Sequence, residues 1–328
     1  MEYVCRLHGE VEINDPVVIE LINTPEMQRL KEIDQAGYFE GFFPNTKQDR
    51  YEHSLGCYLL LKRFNAPIEE QIAGLLHDVS HAAFSHCADY VLAGGSEKEH
   101  TYQDSVFCEY VLNSSIPAIL KKYGFDTGYI INEVNFPLQE TELPDLCADR
   151  IDYSLRSLIV YGIIDQSHAL ALLNNLVAID GHWVFQNLLK AKEFAELFRL
   201  LNEKYYAGIE SAVMFRTVSD CLKYAIFKNY ISQDDLNLTD DVVIAKIKRH
   251  LVDDFHLRKL FARMNNETRF ENNELDYESS VYCKSRVVDP FVSREGFFGQ
   301  RLSDFNLTWK TILEEESKAK QYFLKFFD

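Results

Sequence analysis

The chain has 328 residues and a formal net charge of −17 at pH 7, which allows one large domain or a core with an appendage. The acidic excess argues against an extended nucleic-acid surface, because neutralising phosphates requires clustered Lys and Arg. No apolar run approaches the roughly 20 residues that span a bilayer, and seven scattered cysteines are typical of reduced thiols. We therefore expect a cytoplasmic protein without a membrane segment.

The chain is predicted to open with a short strand and then to become helical. Residues 8–13 alternate polar and apolar side chains, which indicates the strand. Residues 15–22 and 24–34 each begin with a polar residue followed by proline, which is typical of a helix start. The second of these helices is expected to stop near Gly37, and residues 38–45 are predicted to form a loop.

Two buried helices are predicted next, over residues 53–64 and 68–83. Their leucines and isoleucines recur at helical spacing on more than one face, so the pair His77-Asp78 should lie toward the end of the second helix. Further helical stretches are expected at 103–122, 144–162, 167–178, 184–205 and 208–230.

The amino-acid composition changes after about residue 233, where charged segments and segments of mixed polarity begin. Residues 279–288 are rich in β-formers, and residues 308–327 resemble a final amphipathic helix. The predicted fold is mainly α, with a helical catalytic core at 1–234 and a smaller α+β lobe at 235–328.

Potential metal ligands are concentrated after the loop. Four of the chain's ten histidines fall within residues 50–86, together with the adjacent pair His77-Asp78. Histidine and carboxylate ligands suit a borderline or hard divalent ion. Two adjacent helical residues can reach one ion at the helix surface. His53, which opens the preceding helix, is the expected third ligand.

A fourth ligand is expected from a later helix. Asp149 and Asp152 are three residues apart and share a helical face, so either carboxylate can serve.

Five short motifs occur in chain order across residues 8–157. They are Gln28-Arg29-Leu30, Phe42-Phe43-Pro44, Arg50-x-x-His53-Ser54-Leu55, His77-Asp78-x-x-His81-x-x-Phe84-x-His86 and Asp149-x-x-Asp152-Tyr153. Together they resemble the motifs of the HD-domain metal-dependent phosphohydrolases, and more narrowly those of the branch that contains deoxynucleoside triphosphate triphosphohydrolases. The resemblance implies that the helical core has the HD-domain fold.

Carried over position by position, the resemblance implies a set of site residues. One divalent ion (Mn, Fe, Zn, Ni or Mg) would be held by His53, His77, Asp78 and Asp149. The nucleoside sugar or phosphate would be contacted by Gln35, Arg50 and Tyr153. The reaction centre would contain the phosphate-facing histidines His81, His86 and His100 and an acid, Asp89, that supports a histidine. His100 matches less well, because Thr101 replaces the acid expected after it.

This residue set suits phosphate-ester hydrolysis. A divalent ion polarises a phosphoryl oxygen and lowers the pKa of a bound water from near 16 toward roughly 7. Arg50 can neutralise phosphate charge with a fork of donors. His86 or His100 can protonate the leaving oxygen. The expected partner is a small phosphorylated molecule, in particular a nucleotide, and the resemblance also allows a homo-oligomer.

One departure from the family limits the substrate prediction. Where the triphosphohydrolases carry a helix rich in Arg, His and Tyr, residues 201–210 offer Lys204 and two tyrosines but no arginine or histidine. Specificity for a triphosphate is therefore not predicted. Two other classes of protein stay open: an HD-type di-iron oxygenase, which needs a second iron and more His/Asp ligands, and an inactive HD-fold protein that binds a nucleotide.

Overall fold

The computed structural model describes residues 1–294 and 297–328. In chain order its α-helices are α1 (Pro16–Ile22), α2 (Pro25–Arg29), α3 (Arg50–Arg63), α4 (Ile68–Leu76), α5 (Tyr102–Leu112), α6 (Ile116–Lys122), α7 (Thr127–Ile130), α8 (Ala148–Val160), α9 (Gln166–Leu173), α10 (Leu188–Leu201), α11 (Ile209–Phe227), α12 (Asp240–Lys248), α13 (Phe255–Met264), α14 (Leu302–Phe305) and α15 (Leu307–Glu316). Short 3-10 helices lie at Leu30–Glu32, Ser85–Tyr90, Glu133–Asn135 and Asp234–Asn237, and a π-helical turn at Asn202–Tyr206.

The strands form three small sheets around these helices. They are β1 (Glu2–Cys5), β2 (Gly9–Glu12), β3 (Leu176–Ile179), β4 (His182–Phe185), β5 (Arg269–Asn272), β6 (Ser279–Cys283), β7 (Phe291–Arg294), β8 (Phe297–Arg301) and β9 (Lys320–Phe327). β1 pairs with β2, the second sheet has the order β3-β4-β7-β8, and the third has the order β5-β9-β6. Within the described residues, every strand pairing is antiparallel except that of β4 with β7. The strand predicted at 8–13 is confirmed as β2, and the stretch 279–288 is confirmed in its first half only, because β6 ends at Cys283.

Helix α3 is the buried centre of the fold, and both α4 and α8 pack against it. Its N-cap is Asp49, whose carboxylate accepts the backbone N–H of Glu52 at 2.8 Å. A Cβ on Gly56 would lie 2.0 Å from side-chain atoms of Asp152 and Arg156 on α8. Only glycine permits this close approach, which brings the start of α3, the end of α4 and the start of α8 together.

The helix predicted to continue through Ala83 is shorter than expected. It ends at Leu76, and His77 occupies its C-terminal cap. His81 therefore does not follow His77 on one helical face, and reaches the same region from the loop after α4.

Long-range polar contacts replace helical hydrogen bonds in this loop. The Nη2 of Arg29 donates to the backbone oxygens of Val79 at 3.1 Å and His81 at 2.6 Å. Phe84 has a φ of 62°, a left-handed conformation that is rare for a bulky residue. Its N–H donates to Asp240 at 2.7 Å. The loop is thus shaped by residues distant in sequence, which explains why local periodicity did not predict it.

The helix predicted at 167–178 is wrong in its second half, and so is the start of the one at 184–205. α9 stops at Leu173, and β3 and β4 form a hairpin. Asp180 and Gly181 connect them with φ values of 48° and 77°. Asp-Gly between two apolar runs is a strong hairpin signal, so the sequence did contain this information.

Two other predicted helices also need correction. The stretch 103–122 is divided into α5 and α6, with Pro117 in the first turn of α6. The stretch 308–327 is helical only as far as Glu316, after which β9 begins. Leu324 and Phe326 are buried in β9 at a spacing of two, which is the strand period.

Residues on both sides of the proposed 234/235 boundary are closely connected. β4 pairs in parallel with β7, so one sheet contains strands from both parts. Asp240 of α12 accepts the N–H groups of Asp34 at 2.8 Å and Phe84 at 2.7 Å. The division into 1–234 and 235–328 stays a proposal, and its second part contacts the motif-bearing loops directly.

Within the described residues, no helix combines the length and the apolar character needed to cross a membrane.

Candidate active site

Four of the predicted ligands converge where α3, α4 and α8 meet. His53 Nε2 lies 2.8 Å from Asp149 Oδ1 and 3.2 Å from His77 Nε2. His77 Nε2 lies 3.5 Å from the same Asp149 oxygen. Asp78 Oδ2 is somewhat farther away, 3.7 Å from His53 Nε2. This is a compact set of imidazole and carboxylate donors.

Both histidine rings are oriented by bonds on their far side. His53 Nδ1 lies 2.8 Å from Asp152 Oδ2, and His77 Nδ1 lies 2.8 Å from the backbone oxygen of Gly74. Each bond leaves Nε2 directed into the cluster. Histidines that ligate metals are typically held in this way through the other ring nitrogen. The donor set therefore fits one divalent cation, with Asp78 and Asp149 supplying its negative charge.

The structure separates the two candidate carboxylates by their partners. Asp152 is fully buried, and Arg156 donates to both of its oxygens, at 3.0 Å and 2.7 Å. Arg156 also pairs with Glu52 at 3.1 Å. Asp149 instead faces His53 and His77. This geometry favours Asp149 as a ligand and Asp152 as the residue that orients His53.

Cys57 also reaches the cluster, although the sequence did not mark it as a site residue. Its Sγ lies 3.7 Å from His53 Nε2. Burial, reinforced by the charge of Asp152, raises the pKa of its thiol well above the usual value. The thiol is therefore neutral in the metal-free protein. The available signal was its spacing of four residues from His53 on one helix, which places both side chains on one face.

The metal-free cluster binds protons strongly. Burial alone would lower the pKa of His77, but the charges of Asp78 and Asp149 outweigh burial and raise it to about 10. Burial would raise the pKa of Asp149, but its bonds to His53 and His77 dominate and lower it. A divalent cation must displace these protons, because a ligating imidazole is neutral.

We expect metal stabilisation to increase with pH. Because the pKa of His77 is raised, protonated His77 stabilises the metal-free fold. This stabilisation is complete at pH values below the ordinary histidine pKa of about 6.5, and it is lost as pH rises through about 10. A cation gains affinity over the same range as the proton leaves. The rise in melting temperature on adding MnCl2 should be larger at about pH 8.5 than at about pH 6. An equal rise at both pH values would contradict the proposed role of His77.

Arg50 connects the cluster to the predicted phosphate site. This buried side chain donates through Nη1 to Asp78 at 2.6 Å and through Nε to Ser85 at 3.0 Å, and its Nη2 lies 3.4 Å from His86 Nε2. Burial opposes ionisation of Asp78, but Arg50 and the neighbouring histidines hold its pKa well below the usual range. Arg50 therefore presents a charged guanidinium beside the donor set.

His86, Asp89 and His100 form a second group next to Arg50. The rings of His86 and His100 stack at 4.7 Å, and His86 Nδ1 lies 3.5 Å from Asp89 Oδ2. Asp89 also accepts the N–H of Tyr102 at 2.9 Å. Burial, aided by Arg50 at His86 and by His86 at His100, holds the pKa of both rings well below the usual value. Both rings are therefore neutral at pH 7 in the ligand-free protein.

His81 lies between the two groups. Its Nε2 is 3.2 Å from Asp78 Oδ1, and its ring meets that of His86 edge to face at 5.4 Å. Burial, together with Arg50, lowers the pKa of His81 to about 4.

Tyr153 and Gln35, both predicted to contact the sugar, have different surroundings. Tyr153 follows Asp152 on α8, and its ring lies 6.4 Å from that of His53 and 5.6 Å from that of Tyr206. Gln35 donates its backbone N–H to Gln48 at 3.1 Å, and its side-chain oxygen is buried without a partner among the described residues.

Cations near the site come from an unexpected part of the chain. Lys204 lies over the ring of Tyr205 at 4.9 Å rather than beside the histidines. Arg286, which follows β6, instead places its Nη2 3.5 Å from His100 Nδ1. No sequence pattern indicates Arg286 as a site residue, because it belongs to none of the five motifs and lies 186 positions from His100.

Comparison with known proteins gives a consistent family assignment. A model of the HD domain matches residues 50–156. The uncharacterized protein YdhJ of Bacillus subtilis is 32% identical over 295 residues, covering 89% of this chain and 88% of YdhJ. The metal-dependent phosphohydrolase cns2 of Cordyceps militaris is 34% identical, covering 61% of this chain and 57% of cns2.

A more distant relative is named for its substrate. The human deoxynucleoside triphosphate triphosphohydrolase SAMHD1 is 31% identical over 157 residues, covering 40% of this chain and 25% of SAMHD1.

Two solved structures share the fold. A hypothetical protein from Aquifex aeolicus has a TM-score of 0.73 at 19% identity, covering 100% of this chain and 96% of that one. A phosphohydrolase from Bacteroides thetaiotaomicron has a TM-score of 0.69 at 17% identity, covering 99% of each chain.

Proposed function

This chain belongs to the HD-domain family of metal-dependent phosphohydrolases, and from that premise we propose that it hydrolyses a phosphate ester of a nucleotide. One observation carries the proposal: the donors His53, His77 and Asp149 lie within 4.8 Å of one another, with the guanidinium of Arg50 beside them. A cation and a fixed arginine side by side are suited to a phosphoryl group.

The residues around the donor set have distinct tasks in this proposal. His53, His77, Asp78 and Asp149 would hold the cation, which when bound polarises a phosphoryl oxygen and lowers the pKa of a water toward roughly 7. Asp152 keeps the Nε2 of His53 directed into the site. Arg50 donates to the phosphate and keeps Asp78 ionised.

Proton transfer to the leaving oxygen is assigned to His86. Its ring is neutral without a ligand, and a bound phosphate would raise its pKa by adding negative charge nearby. Asp89, 3.5 Å from Nδ1, supports the protonated ring. His81 and His100 flank this position, and His100 is the alternative donor.

A nucleotide is favoured over other phosphate esters by two side chains that the family resemblance assigns to the sugar. Tyr153 offers an aromatic face near His53, and Gln35 has an unpartnered buried oxygen suited to a sugar hydroxyl. The name of the relative SAMHD1 points to the same class of substrate.

The test is a metal analysis followed by a phosphate-release screen. Purified protein should contain, or gain activity with, one divalent metal, and should release phosphate from at least one compound among dNTPs, NTPs, nucleoside monophosphates and cyclic dinucleotides. Nucleotide binding without turnover, with metal bound, would indicate an inactive binding protein. Two irons per chain with oxygen consumption would indicate an oxygenase, and either result would overturn the proposal.

A further inference from the structure

Two guanidinium groups bracket the stacked histidine pair. Arg50 Nη2 lies 3.4 Å from His86 Nε2 at one end, and Arg286 Nη2 lies 3.5 Å from His100 Nδ1 at the other. The two rings between them are 4.7 Å apart and nearly parallel, with an interplanar angle of 26°. A row of nitrogen-bearing side chains therefore extends from the metal-ligand cluster through Arg50, His86 and His100 to Arg286.

Arg286 is held in this position through its backbone. Its N–H donates to Oδ1 of Asn202 at 2.8 Å, and Nδ2 of Asn202 donates to Ser285 at 2.9 Å. Asn202 is fully buried in the π-helical turn. The guanidinium itself donates to the backbone oxygen of Lys284 at 3.4 Å. Within the described part of the chain, no carboxylate forms an ion pair with it, so its charge is available to a ligand.

The histidine pair has two chemical interpretations. His86, Asp89 and His100 have donor atoms within 4.8 Å of one another, a spacing that would also suit a second cation. Arg50 and Arg286 place positive charge at both ends of this group, which repels a cation and attracts an anion. Uncharged imidazoles and arginine forks are together suited to phosphate oxygens. The charge distribution therefore favours an anion.

We propose that Arg286 binds a second phosphoryl group of the substrate, across His86 and His100 from the metal-ligand cluster. This inference rests on the proposed function and narrows its substrate to a nucleoside di- or triphosphate. The phosphoryl group that is attacked contacts Arg50, and the stacked rings separate it from Arg286. Arg286 thus supplies the arginine that residues 201–210 lack, and Asn202 of that segment holds the backbone of Arg286 in place.

Phosphate binding to the metal-loaded protein tests this role without requiring turnover. Calorimetry with inorganic tripolyphosphate should show that Arg286→Ala weakens binding by about 10- to 100-fold, the loss expected for a charge-assisted contact. Arg286→Lys should fall between Arg286→Ala and the wild type. The dissociation constant for orthophosphate should be unchanged in both variants. Arg249→Ala, which removes an exposed arginine from the end of α12, is the matched control and should change neither constant.

Two outcomes would overturn the inference. One is an unchanged affinity of Arg286→Ala for tripolyphosphate, and the other is an equal loss for tripolyphosphate and orthophosphate. If Arg286→Ala does not fold, Arg286→Gln replaces it, because glutamine retains a long polar side chain without the charge. Failure of the wild type to release phosphate from any nucleotide would overturn the proposed function instead. The effect of Arg286→Ala on tripolyphosphate binding could still be interpreted, because calorimetry does not require turnover.

Discussion

Replacing His77 with alanine is expected to reduce phosphate release by about a thousandfold or more, because the variant lacks a proposed ligand of the cation that would activate water. His77 Nε2 lies 3.2 Å from His53 and 3.5 Å from Asp149, so no other side chain can take its position without moving both. The measurement is kcat/KM on the best substrate of the screen, together with metal content per chain. Both quantities should fall together.

His256→Ala is the control for the His77 experiment, because His256 is exposed and its ring packs against Tyr224 at 4.6 Å. It should retain wild-type activity and metal content. If the protein holds no divalent metal under any condition and His77→Ala changes nothing, the metal-dependent mechanism is excluded.

Asp152→Ala is expected to lose mainly stability, whereas Asp149→Ala is expected to lose mainly activity. Asp152 and Arg156 are completely buried, so removing Asp152 leaves a buried guanidinium whose one remaining carboxylate partner among the described residues is Glu52. Breaking one side of a buried ion pair costs about 3–5 kcal/mol. We expect Asp152→Ala to lose about 3 kcal/mol of unfolding free energy, measured by urea denaturation in the presence of a chelator.

Asp149→Ala should be destabilised less and inactivated more. Its side chain is 22% exposed, and its partners His53 and His77 can release their protons when the carboxylate is removed. Phosphate release should fall to background while the urea midpoint moves less than in Asp152→Ala. Asp152→Asn retains an oxygen for His53 and should keep measurable hydrolysis, with about 10- to 100-fold weaker metal binding. Full hydrolysis by Asp149→Ala would eliminate Asp149 as a ligand.

Motif spacing predicted the convergence of donors well, and it did so for a physical reason. His53, His77 and Asp149 lie at the start of α3, the end of α4 and the start of α8, and buried helices that pack together bring such ends within reach. The choice between Asp149 and Asp152 could not be made from spacing, because both share a helical face. The choice depends on Arg156, whose guanidinium donates hydrogen bonds to both carboxylate oxygens of Asp152.

Other features depended on contacts that no local pattern contains. The loop after α4 takes its form from Arg29 and Asp240, and hydrophobic periodicity carries no information about either contact. Arg286 reaches His100 because Asn202 fixes its backbone, and an isolated arginine after a strand has no diagnostic spacing. By contrast, the turn residues Asp180-Gly181 do signal the hairpin, and the helical periodicity of the flanking apolar residues competes with that signal.

The contacts of Arg29 and Asp240 have a consequence for what counts as the smallest active unit. Residues 50–156 match the family model and contain every proposed metal ligand. Yet Arg29 bonds to Leu238 across 209 positions, Asp240 to Phe84 across 156, and Arg286 contacts His100 across 186. Such high contact order means that loop closure over most of the chain must be complete before the histidine loop takes its shape. An excised family segment would retain the ligands and lose the contacts that arrange the residues around them.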